Sequence, residues 1–290
     1  MEKLIHLKKY FMDEFRKDLE PAATEIKAQK ITHQKKAQQI NKIANLCKSR
    51  LFKEVKKLSE GERTDANLTL QYCFSVASLE YRNQVWPYEY MAFSRRVGEL
   101  WEGFCSAAWD EPKNKDVKRI KHPSFNEVKE KIKKRLDENL GTHDKKNELK
   151  QDIDILFNII GNINMKEDEV FLEKETPCVI DFKSGFGSNE KGNMLRLQTV
   201  GEAYKLWNIE TNLMLIVRQP INNNYLKQLE NKKLWSVYKG EDAYNKISEI
   251  TGADINHIRK NIIKWETDLS PEILNHLKSQ PTDLRGYLAW

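Results

Sequence analysis

The chain of 290 residues is long enough for one large domain, or for a catalytic domain with helical extensions, and too long for a disulfide-stapled mini-protein. Hydrophobic residues make up 39% of it and charged residues 32%, the composition of an ordinary soluble globular protein. The net charge of +6 comes from 49 Lys and Arg against 43 Asp and Glu. Such a charge excludes a strongly basic packaging protein but permits a surface that binds phosphate.

The positive charge is regional. Residues 1–60 contain 15 basic and 8 acidic side chains, a net charge of +7. Residues 151–220 contain 11 acidic and 7 basic side chains, a net charge of −4. A basic region could hold a polyanion such as DNA, and an acidic region beside it would need a metal ion before phosphate could approach.

The cysteines indicate a reducing compartment. Cys47, Cys73, Cys105 and Cys178 are far apart and form no C-x-x-C pair, which argues against a zinc site or a disulfide framework. Charged residues interrupt every apolar run, so we expect no signal peptide and no membrane span. The sequence predicts a soluble, cytoplasmic protein with no membrane partner.

The N-terminal third has helical spacing. Apolar residues recur every three or four positions through residues 1–60, and we expect two or three helices there with a break at Pro21. The stretch 61–67 (GERTDAN) predicts a turn, and residues 68–86 predict another helix. A further helix is expected to begin at Ser94 as its N-cap. We interpret residues 1–93 as a helical region that clamps DNA or mediates dimerisation.

The central part of the chain predicts an α/β core. Residues 111–150 are charged and helical, and strands are expected only after them, at 152–160, 169–173 and 177–185. A helix over 194–207 and a strand over 212–220 follow. This order indicates an α/β (α+β) fold, a central mixed sheet flanked by helices with helical N- and C-terminal extensions. The predicted regions are 1–93, a catalytic core over 94–220, and a mostly helical 221–290.

Three side chains on two of these strands could build a site. Asp181 and Lys183 are two positions apart on the predicted strand 177–185, so both project from the same face. Asp154, 27 residues before Asp181, lies on the predicted strand 152–160. Two converging carboxylates would bind Mg²⁺, with the Ile180 carbonyl or waters completing its shell, and the lysine would orient the attacking water.

The segments D-I-L-F and V-I-D-F-K-S resemble the PD-(D/E)xK nuclease superfamily, which includes many restriction endonucleases. In that family the first acid stands at the start of one strand, and the (D/E)-x-K acid and lysine stand on the next. The resemblance implies Asp154, Asp181 and Lys183 as catalytic residues. Ile153 replaces the leading proline, which leaves Asp152 as a competitor for the first metal position. Glu99 stands where many members carry an accessory glutamate.

Several polar residues near the predicted core are candidates for contacting DNA. Arg pairs with guanine, and Asn or Gln pairs with adenine, in the major groove, whereas Lys and Arg also bind phosphate. The candidates are Arg95, Arg96, Ser188, Asn189, Lys191, Asn193, Arg196, Gln198, Arg218, Gln219, Asn222, Asn223 and Asn224.

The sequence therefore predicts a sequence-specific endonuclease of the type II restriction kind that cleaves double-stranded DNA. The resemblance implies Mg²⁺ as cofactor, replaceable by Mn²⁺, and no small-molecule cofactor. We expect a homodimer, because cutting both strands of a palindrome needs two sites related by a two-fold axis. The alternatives are a repair, recombination or RNA-directed nuclease of the same superfamily, and a non-catalytic nucleic-acid-binding or assembly protein.

Overall fold

The computed structural model describes residues 2–185 and 191–290. The chain divides into two compact units, residues 1–114 with 244–290, and residues 115–243. The first unit is helical and the second contains a mixed sheet. A mixed sheet flanked by helices, with helical N- and C-terminal regions, confirms the predicted fold class.

The helical unit begins with four long helices. They are α1 (Glu2–Ala28), α2 (His33–Val55), α3 (Glu60–Val85) and α4 (Tyr90–Ser106), followed by a 3-10 turn over Ala107–Trp109. The break predicted at Pro21 is wrong, since Pro21 lies inside α1. Phe15 and Leu19 before the proline, and Ala23 and Ile26 after it, lie on one buried face. Their packing outweighs the hydrogen bond that proline removes, which costs about 3 kcal/mol in a helix interior.

Two other predicted helix starts are misplaced. The turn predicted over residues 61–67 lies in the first turns of α3, which Ser59 precedes and in which Glu60 and Glu62 favour the positive helix end. Ser94 lies inside α4, which begins four residues earlier, at Tyr90. In both cases, polar residues that were predicted to precede the helix lie in its first turns.

The C-terminal part of the helical unit consists of short helices. They are α9 (Glu241–Thr251), which starts at the boundary between the units, then α10 (Ile255–Asn261), α11 (Trp265–Asp268), α12 (Pro271–Lys278) and a 3-10 turn over Leu284–Leu288. Aromatic contacts connect them to α4. Trp101 Nε1 donates a 2.8 Å hydrogen bond to Tyr244 Oη, and the rings of Phe104 and Trp290 are 5.3 Å apart.

These contacts explain why the compact units differ from the regions predicted as 1–93, 94–220 and 221–290. The segment 94–114, predicted as part of the catalytic core, belongs to the helical unit, and residues 221–243 belong to the unit with the sheet. The side chains of Trp101 and Phe104 are fully buried among aromatic residues of that helical unit. Burial of these large rings, which local periodicity cannot assign to a partner, decides where α4 belongs.

The sheet unit alternates strands and helices. Its elements are β1 (Val117–Arg119), α5 (Phe125–Leu140), α6 (Lys146–Ile160), β2 (Glu169–Glu173), β3 (Thr176–Lys183), α7 (Lys191–Trp207), β4 (Asn212–Val217), α8 (Asn224–Lys232) and β5 (Ser236–Lys239). The predicted strands near 169–173, 177–185 and 212–220 and the helix near 194–207 are confirmed. The prediction that no strand precedes residue 150 is wrong, because β1 does.

The five strands follow chain order across the sheet, β1-β2-β3-β4-β5. The pairs β1/β2 and β2/β3 are antiparallel, and β3/β4 and β4/β5 are parallel. Two residues, Lys174 and Glu175, connect β2 to β3, and both have positive φ, at 47° and 69°. Positive φ at both central residues is typical of a type I′ hairpin turn, which matches the twist of the strands.

One face of the sheet packs against α5 and α7. Val179 of β3 is buried there together with Leu213, Leu215 and Val217 of β4 and Leu197 of α7. Asp181 and Lys183 share this face of β3 with Val179, because they follow it at steps of two. Ile180 and Phe182 point to the other face and are completely buried, as the alternation predicts.

The strand predicted over 152–160 is wrong, because these residues form the second half of α6. The run DIDILFNII also fits helical spacing, and Phe157 stacks on Phe125 of α5 at 4.5 Å. Gly161 ends the helix with φ 75°, and its N–H donates to the Phe157 carbonyl. A short β-branched run is ambiguous by periodicity, and here packing on α5 and a helix-ending glycine decide it.

Among the described residues, no helix combines the length and apolar character that a membrane span requires.

Candidate active site

The β2–β3 hairpin brings two aspartates opposite each other. Its antiparallel register ends with the pair Glu169 and Ile180, and the residues that adjoin this last pair are Asp168 and Asp181. Cross-strand neighbours project from the same face of a sheet. The hairpin therefore places Asp168, directly before β2, beside Asp181 and Lys183 at the end of β3.

Asp181 is the centre of this cluster, and only 3% of its surface is exposed. Lys183 Nζ lies 2.5 Å from Asp181 Oδ2, and Arg196 Nη2 of α7 lies 3.1 Å from Oδ1. The lysine also donates a 3.1 Å hydrogen bond to the Phe182 carbonyl. A buried carboxylate is stable only when it is paired, and two cations flank this one.

Asp168 is held by the backbone of the strand beside it. Its Oδ2 accepts a 2.6 Å hydrogen bond from the Phe182 N–H. Burial and the nearby charge of Asp181 raise the pKa of Asp168 to about 6, although the hydrogen bond from Phe182 opposes the rise. Asp168 therefore holds a proton more readily than an isolated aspartate in water, unless a cation compensates its charge.

Glu167 adds a third carboxylate. Its side chain is completely buried, and Arg196 Nη1 lies 2.5 Å from Oε1. Burial raises the pKa of Glu167 to about 7, against the hydrogen bond and charge of Arg196, which lower it. Burial alone would lower the pKa of Arg196, but Asp181 and Glu167 raise it.

The donor set fits a hard divalent cation. Glu167 Oε2 is a buried oxygen without a hydrogen-bond partner in the structure, and Asp181 Oδ2 is a buried oxygen that faces Lys183 Nζ. Mg²⁺ is commonly held by one or two carboxylates plus waters and substrate phosphate, and Asp168 and Asp181 supply two. Across residues 2–185 and 191–290, no three His, Cys, Asp or Glu side chains are grouped closely enough to enclose a metal ion. The cluster is an open carboxylate pair and not an all-protein metal cage.

The structure does not bring Asp154 to this cluster as predicted. Because residues 152–160 are helical, Asp154 faces α5, where Lys133 Nζ lies 2.6 Å and Lys129 Nζ 3.3 Å from its Oδ1. The hydrogen bond from Lys133 lowers the pKa of Asp154. Its side chain is 43% exposed, and Asp152 is exposed on the same helix. Asp154 joins α6 to α5 by a surface ion pair.

Sequence reasoning missed Glu167 and Asp168. They lie in the acidic run Lys166–Glu169, which polarity alone assigns to a solvated loop. A usable signal was present, because Asp168 directly precedes the predicted strand 169–173 and stands 13 residues before Asp181. A hairpin of that length brings the two aspartates side by side at the same end of the sheet.

The other predicted acid, Glu99, belongs to α4 of the helical unit. Its carboxylate accepts hydrogen bonds from Arg95 Nε at 2.9 Å and Arg96 Nη1 at 3.3 Å. These three predicted residues thus form ion pairs within one helix, a common arrangement of side chains three and four positions apart.

Of the residues predicted to contact DNA, four lie on α7. Lys191 and Asn193 are exposed in its first turn and Gln198 is half-buried, whereas Arg196 reaches the carboxylate cluster. Ser188 and Asn189 lie outside the described residues. Contact with DNA stays a prediction for all of them.

The predicted contacts after β4 have local structural partners. Arg218 is buried, and its Nη2 donates a 2.8 Å hydrogen bond to Ser184 Oγ, directly after Lys183. Asn222 donates to the Gln219 carbonyl, and the Asn223 side chain caps α8 by accepting from the Tyr225 N–H. Gln219 and Asn224 are exposed. Arg218 thus fixes the backbone next to the lysine of the cluster.

Comparison of the chain with protein-family models, with curated protein sequences and with solved structures found no match in any of the three.

Proposed function

We propose that the chain is a Mg²⁺-dependent nuclease that hydrolyses phosphodiester bonds in double-stranded DNA at specific sequences. The observation that carries this proposal is the placement of Asp168, directly before β2, next to Asp181, with Lys183 two residues further on β3. This placement resembles the PD-(D/E)xK arrangement, with Asp168 in the position first given to Asp154. It rests on the arrangement of the side chains and their charges.

The aspartates and the lysine would have different roles in hydrolysis. Asp168 and Asp181 would hold Mg²⁺, which when bound polarises a phosphate oxygen and lowers the pKa of its water. Lys183 is held by the Phe182 carbonyl and by Asp181. Its ammonium group would stabilise the negative charge that develops on the phosphate in the transition state. Fixed cations at developing negative charge are a large source of rate enhancement.

The test is cleavage of a supercoiled plasmid, a linear duplex, single-stranded DNA and RNA in Mg²⁺ and in EDTA. We expect discrete duplex fragments in Mg²⁺ only, and a loss of at least about 100-fold for Lys183→Ala. Lys227→Ala is the matched control, since Lys227 is exposed on α8 and should behave as wild type.

Other products would redirect the proposal. Progressive shortening from ends, or preference for RNA or single strands, would indicate one of the other nuclease classes. No cleavage and no thermal shift with Mg²⁺ or Mn²⁺ would overturn the enzyme and favour a binding protein.

We also propose that a second copy of the chain covers α6. This helix has no buried residue, and it exposes five large aliphatic side chains: Leu149, Ile155, Leu156, Ile159 and Ile160. An apolar stripe along a whole helix is complementary to itself when two copies pack antiparallel about a two-fold axis. That packing also brings Lys145 and Lys146, at the start of the helix, towards the negative end of the partner's helix.

Ile159→Glu is therefore expected to turn a dimer into a monomer in sedimentation at micromolar concentrations. Ile209→Glu is the matched control, because Ile209 is similarly exposed, at 66% against 75%, but lies outside α6. A wild-type protein that is monomeric under these conditions, or two variants that behave alike, would contradict the assignment of this surface.

A further inference from the structure

Arg196 of α7 reaches the carboxylate cluster, and its positive charge is opposite to that of the carboxylates. Nη1 lies 2.5 Å from Glu167 Oε1, and Nη2 lies 3.1 Å from Asp181 Oδ1. The guanidinium thus bridges a residue just before β2 and a residue of β3. An arginine in a protein cannot lose its proton, so this positive charge is permanent.

Both oxygens of Asp181 face a cation in this arrangement. Arg196 lies at Oδ1 and Lys183 at Oδ2. A divalent cation that binds Asp181 therefore meets two positive charges within a few ångströms, and like charges at that distance repel strongly in a buried site. Displacement of one of the two cations from Asp181 would relieve this repulsion.

Arg196 is better able to move than Lys183. Its side chain is 40% exposed, whereas that of Lys183 is 20% exposed and is also bonded to the Phe182 carbonyl. Arg196 has a second carboxylate, Glu167, that can keep it beside the site once it leaves Asp181. Glu167 is completely buried, and without Arg196 it would be an unpaired buried carboxylate. The pair with Glu167 therefore favours a position of the arginine beside the site.

We propose that Arg196 is an internal competitor of the metal ion, which occupies Asp181 in the free protein and moves wholly to Glu167 when a divalent cation binds. This inference rests on the proposed function and specifies a control of the same site. Arg196 would hold the carboxylates together without metal and lower the affinity of the free protein for it. It is a positioning residue, since it acts through Asp181 and Glu167.

The test is a titration of the full-length protein, free of DNA, with Mn²⁺ followed by electron paramagnetic resonance. We expect Arg196→Gln to bind Mn²⁺ at least about tenfold more tightly than wild type, because it removes the competing charge. Arg196→Lys keeps that charge and should stay close to wild type. Arg135→Gln removes the same charge from an arginine that bonds the Leu206 carbonyl, and it should also bind like wild type.

The outcomes separate the two proposals. Mn²⁺ binding that Asp181→Asn does not weaken overturns the metal site itself. Binding that depends on Asp181 but is equal in wild type and Arg196→Gln overturns only the competition. If Arg196→Gln does not fold, the test is the signal of the Arg196 Nε–H in nitrogen-15 spectra of the wild type. This signal is assigned by its absence from the spectrum of Arg196→Lys. We expect Mg²⁺ to shift that signal, and an unchanged signal would overturn the inference.

Discussion

Asp168→Asn is expected to lower Mg²⁺-dependent DNA cleavage by roughly 100- to 1,000-fold or more, the loss found when one electrostatic group of an active site is removed. Asp154→Asn is expected to leave cleavage within about twofold of wild type. Asp168 lies beside Asp181 and accepts a hydrogen bond from the Phe182 N–H, whereas Asp154 pairs with lysines of α5 at the surface. The measurement is initial cleavage rate on one plasmid substrate at saturating Mg²⁺.

The amide variant is chosen so that folding is not the cause of the loss. Asparagine keeps a side-chain oxygen that can accept the hydrogen bond from the Phe182 N–H. Its circular dichroism spectrum and melting temperature in EDTA should therefore stay near those of wild type. A fall in activity for Asp154→Asn with none for Asp168→Asn would return the first metal position to the assignment made from sequence.

The second large effect is a fall in stability as pH rises, measured in EDTA. The pKa of Glu167 is about 7 in the folded protein and that of Asp168 about 6, whereas unfolded Glu and Asp titrate near 4. Between these values the folded state binds more protons than the unfolded state, so the free energy of unfolding decreases with rising pH. The contribution of each carboxyl is complete below pH 4 and is lost as pH approaches 7.

Glu167→Gln isolates this effect. Between pH 5 and pH 8, wild type should lose roughly 2 kcal/mol of stability relative to Glu167→Gln, from about 1.4 kcal/mol for each pH unit in which the proton counts differ. Glu210→Gln, at an exposed glutamate, should follow wild type. The measurement is the melting temperature of the three proteins across that range.

Metal provides an independent check on the same carboxylates. Mg²⁺ binds ionised carboxylates, so its stabilisation of the wild type should be larger at pH 8 than at pH 5.5. A wild-type stability that does not fall with pH relative to Glu167→Gln, together with a metal effect that is equal at the two pH values, would show that the two carboxyls are ionised in the folded protein throughout this range.

Local pattern was sufficient for the half of the site that lies on one strand. The apolar run around Asp181 and Lys183 predicted β3, and alternation placed both side chains on one face, where they are found. The same reasoning failed for residues 152–160, since a β-branched run of that length fits a helix and a strand equally well. Because of this error, the first metal position was predicted at Asp154, whereas the structure places Asp168 beside Asp181.

Contacts between distant segments were beyond what spacing can determine. Arg196 was a candidate for DNA contact because it is a cation on the helix after β3, and its position in the cluster follows from how α7 packs on the sheet. Likewise, burial of Trp101 and Phe104 places α4 in the helical unit. No local period indicates which surface a buried ring or a long basic side chain will meet.

The sequence by itself determined the classes of most of its segments and one strand of a carboxylate cluster, because alternation and helical periodicity are local consequences of backbone geometry. The tertiary structure decided which acid lies next to Asp181 and which cations pair with its carboxylate. Strand register and helix packing are set by the burial of many side chains together, so a difference of a few residues, invisible in composition or charge, changes which carboxylates meet.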